Sequence, residues 1–443
     1  MLMESQFWPS AQLIAHQRTQ LSHLVHHARA ESPFYAHRLD VLFRPNGEID
    51  WDRWGEVPVL RRSDLLSHYD DVTARKVPPG HGPIGEITTS GTTGQPLTVK
   101  VTQLSMLASI AARWRSNVWA GLDWSSTLYV RYGENAAGIP PHGVRRGRWG
   151  PPWDAKAKLG ASFLFNRQVA PEEQIKFIKT IGARYAAVGV PKHAQSLAIE
   201  ALRLGLDVRL DAIMVNGEAT DESDREACHE AFGAKVIDLY SSKEGTHMAH
   251  RCPASGKWHV NSENILVEII DMNGNHCKPG QTGRVVITPF FGTAQPLIRY
   301  EQGDMAVAAE PCDCGRSLMT IDRLLGRASH MFRHPDGRTI ARGFPEAYRA
   351  VLGCSSWQFA QVGAKSFEIR YVPRKQNEFG DEGAVAEAFR EWYFHDAAVN
   401  FRRMETIPPA ASGKFMEYVY EVLTEPDFAR DQVSSGKQPS PST

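Results

Sequence analysis

The chain has 443 residues, enough for two domains and a sizeable core, and its 50 basic and 50 acidic residues cancel, so it lacks the basic excess expected of a nucleic-acid-binding protein. No run of about twenty apolar residues exists, which predicts no membrane span. Met1 to Gln12 shows no basic region followed by an apolar stretch, so no signal peptide is expected and the expected location is cytoplasmic. Without an export signal, the six cysteines (Cys228, Cys252, Cys277, Cys312, Cys314 and Cys354) read as reduced thiols or metal ligands rather than as a disulfide framework.

Ile14, Gln17, Leu21, Leu24, Val25 and Ala28 recur at helical spacing and predict an amphipathic helix over 10–29. A strand at 85–87 leads into Thr88-Thr89-Ser90-Gly91-Thr92-Thr93-Gly94-Gln95-Pro96, and a second strand at 97–101 leads out. Two glycines allow a tight turn and close approach to a ligand, while the hydroxyls and turn N–H groups can converge on phosphate oxygens. The spacing is not the Gly-x4-Gly-Lys-Ser/Thr of the common phosphate loop, and the bland reading is a polar surface hairpin. Leu107, Ile110, Ala111, Trp114 and Val118 predict a second helix just after it.

Residues 186–190, 212–215 and 236–240 are short apolar runs separated by helical stretches at 191–204 and 221–232. This β-α-β-α-β order predicts a parallel sheet flanked by helices. Strands at 265–270 and 284–289 are then joined across Asn273-Gly274-Asn275, a turn signal. A smaller α+β segment starts near residue 328, with strands at 367–372 and 415–422 around a helix at 383–393. Residues 426–443 are rich in Ser, Pro, Lys and Gln and read as a disordered tail.

Further polar stations accompany the glycine loop. Asn216-Gly217-Glu218 and Asp238-Leu239-Tyr240-Ser241-Ser242-Lys243-Glu244-Gly245 end two of the strands, where open α/β sheets bind ligands. Arg299-Tyr300-Glu301-Gln302-Gly303-Asp304, Leu325-Gly326-Arg327 and Ser412-Gly413-Lys414 follow. In this order the set resembles the adenylate-forming enzymes (acyl-CoA synthetases, adenylation domains and luciferases), and more narrowly the phenylacetate–CoA ligase branch with its capsule-biosynthesis-associated relatives. Glu31-Ser32-Pro33-Phe34-Tyr35, Val57-Pro58-Val59-Leu60, Asp64-Leu65 and Cys252…His259…Cys312-Asp313-Cys314-Gly315-Arg316 are similar to that branch as well. The resemblance spans about residues 20–422.

The resemblance implies an α/β fold of the adenylate-forming type. A large N-terminal domain (1–327) would bind ATP and the acyl substrate, and a small mobile α+β domain (328–425) would act as a lid carrying Lys414. The implied chemistry is attack of a carboxylate on the α-phosphate of ATP, which brings anion towards anion and needs positive charge to offset it. Glu244 would hold Mg²⁺ and Lys414 would bridge the substrate carboxylate and α-phosphate. Ser90, Gly91, Thr92, Thr93 and Gly94 would grip the triphosphate. Gly217 and Glu218 would line the adenine, with Tyr240 offering a stacking face and Asp238 and Ser241 completing the nucleotide set. Asp304 would accept both ribose hydroxyls, and Arg327 would contact ribose or phosphate.

Each residue has a plainer reading. Lys414 would be a solvated turn residue, Asp304 a turn cap, Tyr240 core, and Glu244 part of a capping box. Val144-Arg145-Arg146-Gly147-Arg148 reads as a solvated loop, or as a grip on the acyl substrate or a CoA phosphate. Trp149, Trp153, Phe163, Phe165 and Tyr185 fit either an aromatic pocket wall or core. There are also departures from the branch: Gln95 stands where Lys is usual, Ala328-Ser329-His330 replaces a hinge with carboxylates, and Arg342-Gly343-Phe344 is shortened.

Cys252, His259, Cys312 and Cys314 make a Cys3His set suited to structural Zn²⁺, against buried reduced thiols and a core histidine. The reading adopted is ATP- and Mg²⁺-dependent activation of a carboxylic acid, aryl or arylacetic acids favoured, followed by transfer to CoA. Transfer to an amine or hydroxyl, and a non-catalytic scaffold, are the alternatives. No nucleic-acid or membrane partner is expected, and a homodimer is left open.

Overall fold

A computed structural model describes residues 1–89, 96–132, 139–140, 142–151, 156–166, 168–217, 220, 222–327, 331–336, 339–340, 344, 348–374, 380–408 and 417–422. Ser90 to Gln95, Trp153, Glu218, Ala328 to His330, Arg342, Gly343, Ser412 to Lys414 and the 426–443 tail lie outside the described residues. The chain divides into two units, Met1–Gly326 and Arg327–Thr443.

The first unit opens with the helix Ser10–Glu31, which buries Leu13, Leu21, Leu24, Val25 and Ala28. The glycine loop's flanks form a two-stranded antiparallel hairpin, β1 (Ile84–Thr88) with β2 (Thr98–Thr102). The main sheet uses β3 (Leu128–Tyr132), β4 (Val144–Arg148), β5 (Ala161–Asn166), β6 (Tyr185–Gly189), β7 (Ala212–Asn216) and β8 (Lys235–Ser242). It continues with β9 (Thr246–Arg251), β10 (Trp258–Val260), β11 (Ile265–Ile270), β12 (Thr282–Pro289), β13 (Tyr300–Ala308) and β14 (Thr320–Arg327). Their order is β11-β12-β13-β14-β10-β9-β8-β7-β6-β3-β5-β4. Strands β5, β3, β6, β7 and β8 run parallel, and β8 to β9 is antiparallel.

The parallel half is covered on both faces, so β7 is an unbroken buried run from Ala212 to Val215. Side chains alternate between the faces. Ala186, Val188, Ile213 and Val215 join the core under the helices Pro171–Thr180, Pro191–Leu204 and Glu222–Phe232. Tyr185, Ala212 and Met214 pack with Leu122, Leu128 and Trp149 on the opposite face. Phe165 lies in the first core, and Trp149 and Tyr185 in the second. These three aromatics are therefore packing residues.

The helix predicted after the glycine loop forms as Gln103–Trp119, with Thr102 and Ser105 making its capping box. Its orientation differs from the apolar stripe in the sequence. Leu107 and Val118 are exposed, while Ser105, Ala112, Arg115, Ser116 and Asn117 are buried. Arg115 decides this. Its Nη1 donates to Glu263 Oε1 (2.6 Å) and its Nη2 to Asn261 Oδ1 (2.5 Å), while Ser5 Oγ donates to the same Glu263 oxygen (2.6 Å). Burying a leucine gains about 1.5–3 kcal/mol, whereas an unpaired buried carboxylate costs several kcal/mol. Residues 144–148, read as a loop, form edge strand β4, where exposed arginines are well tolerated.

In the second unit β17 (Cys354–Gly363) pairs antiparallel with β18 (Ser366–Pro373), and β19 (Ala398–Arg403) and β20 (Tyr418–Tyr420) flank them in the order β19-β18-β17-β20. Short strands β15 (Phe332–Arg333) and β16 (Thr339–Ile340) form a separate ribbon. The helix Glu382–Trp392 connects the parallel strands β18 and β19. Trp357, Phe359, Phe367, Val385 and Phe389 form its core. This α+β composition is the one expected. No helix among the described residues is long and apolar enough to cross a membrane.

Two stability consequences follow. Arg115 and Glu263 have side chains 1% and 0% exposed, so Arg115→Ala or Glu263→Ala strands the partner's charge. Each should cost about 3–5 kcal/mol in urea denaturation, with the double variant costing less than the sum. Burial, assisted by nearby arginines, pushes His193 and His247 down to about 3. The unfolded chain takes up protons on these imidazoles below about pH 6.5 while the folded chain refuses them, so stability falls as pH drops through that value. Denaturation midpoints between about pH 8 and pH 5 should show this loss, and His193→Gln with His247→Asn should reduce it, buried His250 retaining the same dependence.

Candidate active site

Strand β8 brings the first cluster together at its C-terminal end. Tyr240 Oη donates to Asp304 Oδ2 (2.7 Å), and Gln302 Nε2 donates to Tyr240 Oη (2.5 Å) and to the same carboxylate oxygen (3.1 Å). Tyr240 and Asp304, chosen from sequence as separate stations, are thus in direct contact. Gln302 was given no role from sequence. The available signal was its i, i+2 relation to Asp304 on a strand, which puts both on one face.

Glu244 follows in the turn between β8 and β9 and is buried. The turn runs close against the sheet: a Cβ at Gly245 would lie 2.5 Å from Met248 Sδ and 2.9 Å from Ile287 Cδ1. Gly245 N donates to Ser242 Oγ (2.8 Å). Thr246 then adopts φ 57°, a left-handed conformation that is rare and strained for a β-branched residue. Glu244 and Thr246 line a small cavity with Lys100, Ser105, Ser109 and Gln295. Arg62 Nη1 lies 4.0 Å from Glu244 Oε1.

The flanks of the glycine loop are pinned at the end of its hairpin. Thr88 and Thr98 hydroxyls are hydrogen-bonded (2.9 Å), Thr89 N donates to Leu97 O (2.8 Å), and Leu97 N donates to Thr89 Oγ1 (2.9 Å). The loop residues Ser90, Gly91, Thr92, Thr93 and Gly94 lie outside the described residues, as do Glu218 and Lys414. Gly217 closes β7 with φ 85°, a turn favourable to glycine. Ser241 is half-buried and faces His247 across the β8–β9 pair. Asp238 is committed elsewhere: its carboxylate accepts from Arg225 and Thr220. Arg327 is the last residue of β14 and the first of the second unit.

The second cluster sits beyond the far end of β9. Cys252 follows that strand, His259 lies on β10, and Cys312 and Cys314 precede β14. Their ligand atoms all lie within 4.8 Å of one another. Cys252 and Cys312 sulfurs are 3.9 Å apart, and Cys314 Sγ is 3.3 Å from His259 Nε2. A tetrahedral ion with sulfurs at ~2.3 Å has sulfur–sulfur edges of ~3.8 Å, which these positions match. All six cysteines are free thiols.

No family model matches the chain. A phenylacetate–coenzyme A ligase of Thermus thermophilus is 28% identical over 362 residues, spanning 78% of this chain and 76% of that protein. Among solved structures, 2-hydroxyisobutyryl-CoA ligase in the postadenylation state, in complex with 2-HIB-AMP, matches with a TM-score of 0.70 and 20% identity, covering 96% of this chain and 94% of that one. O-succinylbenzoate coenzyme A synthetase of Bacillus subtilis, in complex with ATP and magnesium ion, matches with a TM-score of 0.50 and 15% identity, covering 75% and 68%. The resemblance read from the ordered motifs is therefore borne out: the chain has the fold of the adenylate-forming CoA ligases and is a relative of phenylacetate–CoA ligase.

Proposed function

We propose that the protein activates a carboxylic acid with ATP, releasing pyrophosphate, and transfers the acyl group from the adenylate to CoA. The observation that carries this reading is the Tyr240–Gln302–Asp304 contact at the strand ends, with buried Glu244 four residues further on, in a chain similar to acyl-CoA ligases. Tyr240 and Gln302 orient the Asp304 carboxylate, which would accept the ribose hydroxyls. Glu244 suits Mg²⁺, which typically takes one or two carboxylates plus substrate phosphates and would offset charge on the phosphates. The fit rests on its burial beside hydroxyl-bearing Ser105, Ser109 and Thr246. Lys414 would neutralise the approach of carboxylate to α-phosphate.

ATP–pyrophosphate exchange with a panel of carboxylic acids tests the first half-reaction. Lys414→Ala should reduce it by at least ~10²-fold, the usual scale for one preorganised electrostatic group. Near-normal acid-dependent exchange by that variant removes Lys414 from the mechanism, and absence of exchange with every acid favours a non-catalytic scaffold. Ser329 in place of the hinge carboxylate is the one observation that favours an acceptor other than CoA. Single-turnover transfer to CoA and to amines separates those two acceptors.

The four ligand atoms of Cys252, His259, Cys312 and Cys314 also support a structural zinc, four protein ligands leaving no open position for catalysis. Protein purified in metal-free buffer should carry one zinc per chain by elemental analysis. Cys312→Ser should lower thermal stability more than it changes exchange activity. Zinc-free protein of unchanged stability would exclude the site.

A further inference from the structure

The hairpin that carries the hydroxyl-rich loop offers a single cation. Lys100 is the sole lysine or arginine between His81 and Arg113, and Gln95 stands where the branch usually carries lysine. A triphosphate gripped only by hydroxyls and N–H groups keeps its charge unmatched, whereas contacts to an ionised donor are shorter and stronger.

Lys100 sits on β2 two residues past Thr98, so both side chains leave the same face of the strand. Thr98 is the residue whose hydroxyl bonds Thr88 at the base of the loop (2.9 Å). Two residues of strand span roughly 7 Å, a distance suited to the flexible four-carbon stem of lysine. The strand is anchored at this point. Lys100 N donates to Gln295 Oε1 (3.2 Å), and buried Gln295 donates from Nε2 to Thr73 Oγ1 (3.3 Å). Lys100 and Gln295 line the same cavity as Glu244. The position therefore joins the wall of the Glu244 cavity to the base of the loop. Lys100 is half-buried, and its Nζ lies 5.6 Å from the centroid of the Tyr69 ring. An aromatic face attracts the ammonium without supplying a counter-charge. Among the described residues Lys100 makes no ion pair, although Glu86 is its partner in the β1–β2 register. Arg62, the neighbouring cation, is by contrast set beside Glu244 (4.0 Å).

We propose that Lys100 binds the β- and γ-phosphates of ATP and stays with them as pyrophosphate leaves. This rests on the adenylation reading and adds a residue to it. As a carboxylate oxygen of the acid bonds to the α-phosphorus, the bond from that phosphorus to the oxygen bridging to the β-phosphate breaks. Its electron pair leaves with pyrophosphate. Negative charge grows on the departing group, and an ammonium already in place offsets it. Lys414 is assigned to the α-phosphate, so the two lysines divide the charge of the reacting nucleotide between them. AMP lacks the departing phosphates and would not meet Lys100.

The test is binding of ATP, AMP and pyrophosphate to the full chain by calorimetry with Mg²⁺ present, together with ATP–pyrophosphate exchange. Lys100→Met should weaken ATP and pyrophosphate binding about 10- to 100-fold, the scale of one hydrogen bond to a charged group, and leave AMP affinity unchanged. In exchange the KM for ATP or pyrophosphate should rise while the KM for the acid holds, and Lys100→Arg should recover part of the loss. On the wild-type protein ATP or pyrophosphate should protect Lys100 from a lysine-acetylating reagent, and AMP should not. That footprint reads the contact even where the Met variant fails to fold. Equal losses of ATP and AMP binding mark a structural role and overturn the assignment. So do ATP affinity and labelling that are indifferent to Lys100, or protection by CoA alone. A wild-type chain that binds neither nucleotide and exchanges with no acid strikes the adenylation reading itself, a result distinct from the others.

Discussion

The reversal from β8 into β9 is the constraint on which the rest of the first unit depends. From β5 through β3, β6 and β7 to β8 the strands run parallel, so the strand ends with ligand-binding potential gather along one edge. At Lys243 to Thr246 the chain turns back and the antiparallel half begins. The turn fits only tightly, with Gly245 against Met248 and Ile287 and Thr246 held at φ 57°. That geometry holds Glu244 at the cavity, four residues beyond the Tyr240 that meets Asp304. Strand β9 then runs about 20 Å in the other direction and delivers Cys252 to the Cys3His cluster. One backbone reversal thus positions a buried acid, the Tyr240–Gln302–Asp304 cluster and a candidate structural metal site.

Matched buried charges hold the scaffold of the first unit together. Arg299 sits at φ 51°, a conformation disfavoured for a side-chain-bearing residue, and is held by donating Nη1 to Gly55 O (2.6 Å) and Val57 O (2.7 Å) and Nε to Glu268 Oε2 (3.2 Å). Trp54 Nε1 donates to the same carboxylate oxygen (3.2 Å). Arg115 with Glu263 and Arg225 with Asp238 are similarly committed. These pairs tie the N-terminal segments and helices to the sheet, and their chemistry is internal. Asp238 illustrates the point: it lies in the motif beside Tyr240, yet its carboxylate serves Arg225 and Thr220.

Much of this protein was legible because the deciding forces are local. Alternating apolar runs gave β6, β7 and β8 and the helices between them, since strand and helix periods are written within ten or so residues. Asn273-Gly274-Asn275 marked the β11–β12 reversal, and the Thr- and Gly-rich loop marked the β1–β2 hairpin, because each demands particular backbone angles. Tyr240, Glu244, Asp304 and the four metal-type ligands were readable as residue types at ordered stations.

What the sequence by itself determined was therefore the element order, the α/β class and the chemical identity of the stations. Only the tertiary structure decided which polar groups meet. Arg115 and Glu263 are 148 residues apart, and their pairing rotates a helix against its own apolar stripe. Gln302 gains meaning only from Tyr240, which arrives from 62 residues away. Edge strand β4 forms only because β5 offers it a ladder, and its bulge sets Arg146 apart from the other arginines of the strand. Backbone propensity acts over a few residues and can be read along the chain. The cost of an unmatched buried charge is settled only when distant segments close on each other, and at these positions that cost outweighs what burying an apolar side chain would gain.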